Sequence, residues 1–238
     1  MAARQEHDAG RSGAADGRST RWAAHRVRRR EQLIDAALAV LEEDGPEFGL
    51  QQVAARAGVT KPVIYRHFGD RAALVEAMGD RATNLLMARL MPAMFAERPL
   101  LERIRLTIEA FLGFIDESPR IYRFFARRVP AEGRDVAGVD KAFVAEALTS
   151  LMREYVLPFD PAAARLAPVW AHGTVGFVQN AAEWWLDSRA VSRDELADNL
   201  TALLWAQVDG IARRHGVVLD PHQPLTVEGI ASLLGRRP

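Results

Sequence analysis

Apolar positions along this chain recur at helical rather than alternating spacing. The first clear run follows Arg30, where Leu33/Ile34, Ala37/Leu38 and Leu41 repeat one turn apart and Gly45-Pro46 stops the pattern. Helical character reaches back to about Thr20, and whether the part before Arg28 is a helical extension or a flexible arm stays open. Two short segments come next, about Leu50 to Ala57 and Lys61 to Phe68. Beyond Asp70 the periodic segments lengthen and predict helices near 71–90, 100–116, 119–128, 139–156, 161–186 and 193–214, with a short last one near 227–234. Ser118-Pro119 and Asp160-Pro161 each pair a capping side chain with a proline at the first helical position, and Ser192-x-x-Glu195 reads as a capping box. No alternating run is long enough for a sheet, and no internal repeat is found. The pattern predicts an all-α chain with a small three-helix head and a larger helical bundle behind it.

The two short segments are the most informative. Val53, Ala54 and Ala57 give the first an apolar face, Gly58 can take the left-handed conformation that ends it, and Val59 can turn inward. Thr60 is placed as N-cap of the second; Pro62 has no N–H, so the Val63 amide is the donor expected at its hydroxyl. Ile64 and Phe68, four apart, face the core, which leaves Lys61, Pro62, Val63, Tyr65, Arg66 and His67 around the rest of the helix. Two short helices joined by a tight turn, the second exposing donors and apolar tips near its start, suit a helix-turn-helix entering a major groove about 12 Å wide.

Charge sharpens this picture. The 238 residues are neutral overall, but residues 1–30 hold eight Arg against Glu6, Asp8 and Asp16, a net +5, so the remainder carries −5. Residues 1–18 are Gly/Ala/Asp/Arg-rich without periodicity and are expected to be disordered, as either a dispensable tail or a DNA-contacting arm. Basic residues are 29 Arg and two Lys, a bias attributed to genomic base composition. A hydrophobic content of 49% suits an ordinary globular protein, and the absence of Cys removes disulfides and Cys-ligated zinc and suits a reducing cytoplasm. No signal-peptide core follows the early arginines and no 18 apolar residues run together, so no membrane partner is expected.

The stretch "RREQLIDAALAVLEEDG" with "LQQVAARAGVTKPVIYRHFGDRAALVEAM", roughly residues 29–78, resembles the DNA-binding domain of the tetracycline-repressor (TetR) family of bacterial transcription regulators. The resemblance rests on Ala36-Ala37, Val53-Ala54, Ala57-Gly58-Val59-Thr60, Tyr65-x-x-Phe68 and Arg71-x-x-Leu74 in that order. It implies that Thr60, Lys61, Pro62 and Val63 present to base edges and nearby phosphates, that Tyr65 and His67 meet the phosphate backbone, and that Arg71 reaches a phosphate from the start of the next helix. Arg66 is either a further contact or a solvated charge. Where the family often has a phosphate-touching Thr capping the second helix, this chain has Gly49, so Gln51 or Gln52 is expected to substitute. Arg28, Arg29 and Arg30 are expected to add backbone or minor-groove contacts. The implied organisation is residues 1–27 as a disordered segment or arm, 28–72 as the DNA-binding domain, and 73–238 as a ligand-binding and dimerisation domain.

The six histidines contain no i, i+3 or i+4 pair, and no nucleophile elbow, phosphate loop or dinucleotide fingerprint is present, so no metal, cofactor or catalytic site is expected. The bundle segment is rich in aromatic residues. Most such residues are ordinary core, but the resemblance implies a small-molecule cavity, for which Phe111, Phe114, Tyr122, Phe125, Trp170, Thr174, Phe177 and Asn180 are the candidates, with His172 and Gln179 as further polar groups on the 161–186 helix. Gly173-x-x-Gly176 is read as permitting close helix approach. The pattern does not separate the cavity wall of that helix from its dimer face. The expected function is a ligand-responsive regulator in the cytoplasm, a dimeric repressor on an inverted-repeat operator, released by an apolar or amphipathic small molecule. The rivals are an activator or ligand-blind regulator with the same head, and a helical enzyme or carrier with an incidental helix-turn-helix.

Overall fold

The computed structural model describes residues 9–126, 136–156 and 164–224. Its helices are α1 Ala9–Asp44, α2 Leu50–Arg56, α3 Lys61–Phe68, α4 Arg71–Met94, α5 Leu100–Glu117, α6 Pro119–Ala126, α7 Val136–Val156, α8 Ala167–Ser188 and α9 Arg193–Arg214; no strand occurs among the described residues. The chain is all-α. It divides into two compact units, Met1–Met78 and Gly79–Pro238, with the division inside α4.

Several boundaries differ from the sequence reading. Helix α1 begins at Ala9, inside the segment expected to be disordered: with three glycines but no proline or β-branched residue between Ala9 and Arg18, nothing there breaks an alanine- and arginine-containing helix outright. Helix α4 runs through Pro92 to Met94, because a proline so near a C-terminus removes a single ladder hydrogen bond. Helix α8 starts at Ala167 with Pro168 in its first turn, after a turn at Arg165 and Leu166. The Asp160-Pro161 cap, the end of the 119–128 helix and the 227–234 helix fall outside the described residues. The Ser192 capping box is present: the Glu195 amide donates to Ser192 Oγ at 3.2 Å and the Ser192 amide to Glu195 Oε2 at 2.8 Å.

In the first unit α1 packs on α2 and α2 on α3. Leu33, Ile34, Ala37, Leu38 and Leu41 from α1, Val53 and Ala54 from α2, and Ile64 and Phe68 from α3 are buried, joined by Phe48, Leu50 and Leu74. Truncating a fully buried residue such as Ile64 would cost about 2–5 kcal/mol. In the second unit α5 packs on α9 and α7 on α8. A core of Leu90, Ile108, Phe111, Leu112, Phe114, Ile115, Tyr122, Trp185, Leu186 and Leu200 closes one part of it. Trp185 is fixed there by its indole N–H, which donates to the Val191 carbonyl at 2.9 Å.

Candidate functional site

The recognition element is built by the α2–α3 turn. Gly58, at φ +62, lets its own amide donate to the Ala55 carbonyl and the Val59 amide to the Ala54 carbonyl, at 3.2 and 2.9 Å. This crossed pair is the left-handed closure that ends a helix, and a side chain at Gly58 would strain it. Val59 is half-buried. Thr60 takes the extended N-cap conformation but makes no side-chain capping bond; the Val63 amide donates instead to the Thr60 carbonyl at 2.9 Å. With Pro62 lacking an N–H, the first turn offers few donors, and the main chain takes the one expected at the hydroxyl.

Ile64 and Phe68 clamp α3 onto the unit, while Lys61, Pro62, Tyr65 and Arg66 are exposed and Val63 and His67 are half-buried. Tyr65 is 44% exposed, with the Lys61 ammonium 5.8 Å from its ring centroid. The α3 surface therefore presents one ammonium, one phenol and one guanidinium on a helix only eight residues long. Burial, reinforced by the charges of Arg66, Arg29 and Arg30, pushes the His67 imidazole below its ordinary value of 6.5, so it is neutral at neutral pH.

The structure redistributes the remaining basic and amide candidates. Arg30 lies over the Phe68 ring and Arg71 over the Phe48 ring, each 4.9 Å from the centroid. Arg71 also donates to the Phe48 carbonyl at 3.4 Å. Arg29 donates to the Gln32 side chain at 3.0 Å, and Arg28 is exposed. Gln52 is occupied at both ends: its oxygen accepts from the Gly49 amide at 2.6 Å and its nitrogen donates to Asp44 Oδ2 at 2.9 Å. Gln52 thus supplies the arm of a capping box that reaches back to the N-cap amide, while Gly49 has no hydroxyl to supply the other arm, and Gln51 is exposed at the same helix start.

The second unit contains a cavity of about 730 Å³, within the range of roughly 300–1,000 Å³ usual for small-molecule sites. Its walls come from α4, α5, α7, α8 and α9 and from Val217 and Leu219 after α9, and they are mostly apolar. Of the sequence candidates, Phe111, Trp170 and Thr174 line it. Phe114, Tyr122 and Phe125 do not; they are buried, Tyr122 packing edge-on to Phe111 at 5.9 Å, and the aromatic surplus there is core. Phe177 and Asn180 also stand apart from the lining, on the exposed side of α8, where Asn180 donates to the Gly176 carbonyl at 2.9 Å. His172 is exposed and bonded to the Pro168 carbonyl at 2.8 Å.

Helix α8 thus has two faces. Trp170, Thr174, Val175, Val178 and Gln179 face the cavity, whereas Val169, Gly173, Phe177 and Trp184 are exposed one turn or two apart. No heavy atom beyond the local backbone comes within 4 Å of a Cβ built on Gly173 or Gly176, so within the chain these glycines serve no close helix approach. Gln179, one of the further polar groups expected on this helix, and Arg103, which the sequence reading does not name, both reach the cavity wall. Arg103 was legible in principle: Thr107 and Phe111 follow it at i+4 and i+8, which puts it on the apolar stripe of α5.

A helix-turn-helix head followed by a helical unit with a largely apolar cavity is the architecture of a DNA-binding regulator. Residues 33–78 match the family described as bacterial regulatory proteins, tetR family, and residues 89–218 match the tetracyclin repressor-like C-terminal domain. An uncharacterized HTH-type transcriptional regulator of Mycobacterium tuberculosis is 31% identical over 202 residues, covering 84% of this chain and 86% of that one. The HTH-type transcriptional activator FasR of Mycolicibacterium smegmatis is 30% identical over 183 residues, covering 76% and 83%. A tetR-family transcriptional regulator from Streptomyces coelicolor superposes with a TM-score of 0.66 at 24% identity, over 88% of this chain and 87% of its own. The chain belongs to the TetR family of DNA-binding transcriptional regulators. Among the described residues no helix is long and apolar enough to cross a membrane.

Proposed function

We propose that the protein is a cytoplasmic dimeric repressor that binds an inverted-repeat operator and is released when an apolar or amphipathic molecule enters the cavity. The observation that carries this reading is the apolar cavity of about 730 Å³ in a chain whose other unit is a helix-turn-helix head. On this reading Thr60, Lys61, Pro62 and Val63 address base edges and neighbouring phosphates, Tyr65, Arg66 and His67 the backbone, and Gln51, Arg28 and Arg29 flanking phosphates. A recognition helix of eight residues reads few bases, so two heads address half-sites about 34–36 Å apart or a multiple of that. The exposed Val169, Phe177 and Trp184 of α8 and Leu203 of α9 supply an apolar surface for the second copy, and Gly173 lets it approach closely. The effector must bind the DNA-incompetent arrangement more tightly, because equal affinity for both states shifts nothing.

A salt-dependent gel shift on DNA upstream of the protein's own gene tests this. Lys61→Ala and Tyr65→Ala should each weaken binding without lowering the melting temperature. A lost phosphate contact should also reduce the salt slope by about one, and a lost base contact should cost about 1–3 kcal/mol at one position. Normal affinity in both variants removes the assignment. Activation is the second reading, favoured by the activator among the relatives. Deleting the gene separates the two, since transcription from the bound promoter rises for a repressor and falls for an activator.

A further inference from the structure

Of the two arginines in the cavity wall, Arg214 is exposed and Arg103 is buried. Arg103 is only 6% exposed, on a wall otherwise dominated by Leu, Ile, Val, Met and aromatic side chains. Its Nε and Nη2 both donate to a single neutral acceptor, the Met94 carbonyl at the end of α4, at 2.9 and 2.7 Å. A guanidinium has five N–H donors, so three are left uncommitted. No carboxylate among the described residues forms an ion pair with it; neighbouring Glu102 pairs with Arg98 instead. A buried cation without a counter-ion is costly, and the partial negative charge of one helix C-terminus offsets only part of that cost.

A second observation concerns the same cavity and is independent of the first. The side-chain oxygen of Gln179, on the α8 wall, is buried and has no hydrogen-bond partner. The protein itself therefore leaves, in a largely apolar space, a buried cation with uncommitted donors and a buried amide oxygen with no partner. Both fit a cavity whose occupant supplies the missing partners.

We infer that the cavity takes an amphiphilic carboxylate, its anionic head paired with Arg103 and its apolar body lying along Leu86, Leu90, Phe111, Leu148 and Leu151. The planar fork of a guanidinium matches the two oxygens of a carboxylate, and charge-assisted pairs of this kind are the strong ones. Gln179 would engage a further polar group of the ligand, either amide end serving according to whether that group donates or accepts. This rests on the effector reading of the cavity and narrows it from any apolar or amphipathic molecule to an anionic one.

Three probes with the same twelve-carbon chain test the head group: dodecanoate, dodecanol and dodecyltrimethylammonium, each below its micelle-forming concentration. Binding is measured to the full-length protein by calorimetry and melting temperature, and each probe is added to the operator gel shift. Dodecanoate should bind about tenfold to a hundredfold more tightly than dodecanol, and the ammonium most weakly. Arg103→Met should abolish the preference for dodecanoate while keeping dodecanol affinity. Because that variant also removes the bonds to Met94, Arg103→Lys provides a second arm, in which the preference should persist but shrink.

Equal binding of dodecanoate and dodecanol to the wild type overturns the inference, as does strongest binding of the ammonium or an undiminished preference in the methionine variant. In those cases, release of DNA by any probe leaves the effector reading standing. If none of the three raises the melting temperature or changes operator affinity, the effector reading falls and the carboxylate inference falls with it.

Discussion

The guanidinium carbon of Arg30 sits 4.9 Å from the ring centroid of Phe68, so the last basic residue of the N-terminal run is held against the final residue of the recognition helix. A cation over an aromatic face at an exposed site is worth about 0.5–1 kcal/mol. Arg30→Ala should therefore lower the unfolding free energy by about that amount, and Arg28→Ala, whose side chain is exposed, should leave it unchanged. Chemical denaturation of both variants checks this. Equal stability would mean that the stack contributes nothing.

His67 makes a pH dependence with a definite sign. Burial and the nearby Arg66, Arg29 and Arg30 lower its folded value from 6.5, so the unfolded chain binds the proton first as pH falls. Its contribution to stability is retained above about pH 6.5 and lost as pH falls from there through the lowered folded value. A phosphate beside the ring would favour the protonated form and reverse part of that shift. Operator affinity of the wild type should then rise between about pH 7.5 and 6 by more than that of His67→Gln, measured by fluorescence anisotropy. Parallel pH profiles would place His67 away from the phosphates.

The features that were legible in the sequence are those with local signals. The α3 limits, the Gly58 closure, the buried Ile64 and Phe68 and the Ser192 capping box all follow from spacing within a few residues. What the spacing did not carry were choices among competing partners. Gln52 looked available for DNA, yet Gly49 and Asp44 take both ends of its amide. Thr60 looked like a side-chain cap, yet its carbonyl takes the Val63 amide. In the bundle, the resemblance implied a cavity but aromatic content did not mark its walls: Phe114, Tyr122 and Phe125 are buried away from it, while aliphatic residues of α4, α7 and α9 line the space. Long-range packing decides which side of a wholly helical pattern is lined, buried or exposed, and a single helix's periodicity does not record it.

The outer face of α8 carries the dimer prediction. Phe177 is 44% and Trp184 53% exposed, and they lie roughly two helical turns apart on the side away from the cavity. Phe177→Glu combined with Trp184→Glu should shift the protein from dimer to monomer in sedimentation at micromolar concentration, with the helical circular dichroism retained. Operator affinity should fall steeply, since each head alone holds one half-site. A double variant that remains dimeric would move the interface elsewhere.

Filling the cavity separates its role from that of the fold. Thr174 is half-buried on the cavity wall, and its hydroxyl makes only a long contact, 3.5 Å, with the Gln207 side chain. Replacing it with tryptophan therefore breaks no strong hydrogen bond and places a large ring in space that is already open, which avoids the strain of overpacking a closed core. The Thr174→Trp protein should fold, dimerise and bind operator like the wild type, with a melting temperature equal or slightly raised because a void has been filled. Its response to effector should weaken by the volume the ring removes, so that more ligand is needed for the same loss of DNA binding and the ligand-induced rise in melting temperature shrinks in step. The two effects must move together, because one binding event drives both. Loss of the thermal shift with an unchanged DNA response, or the reverse, would show that this cavity is not where the regulating ligand binds.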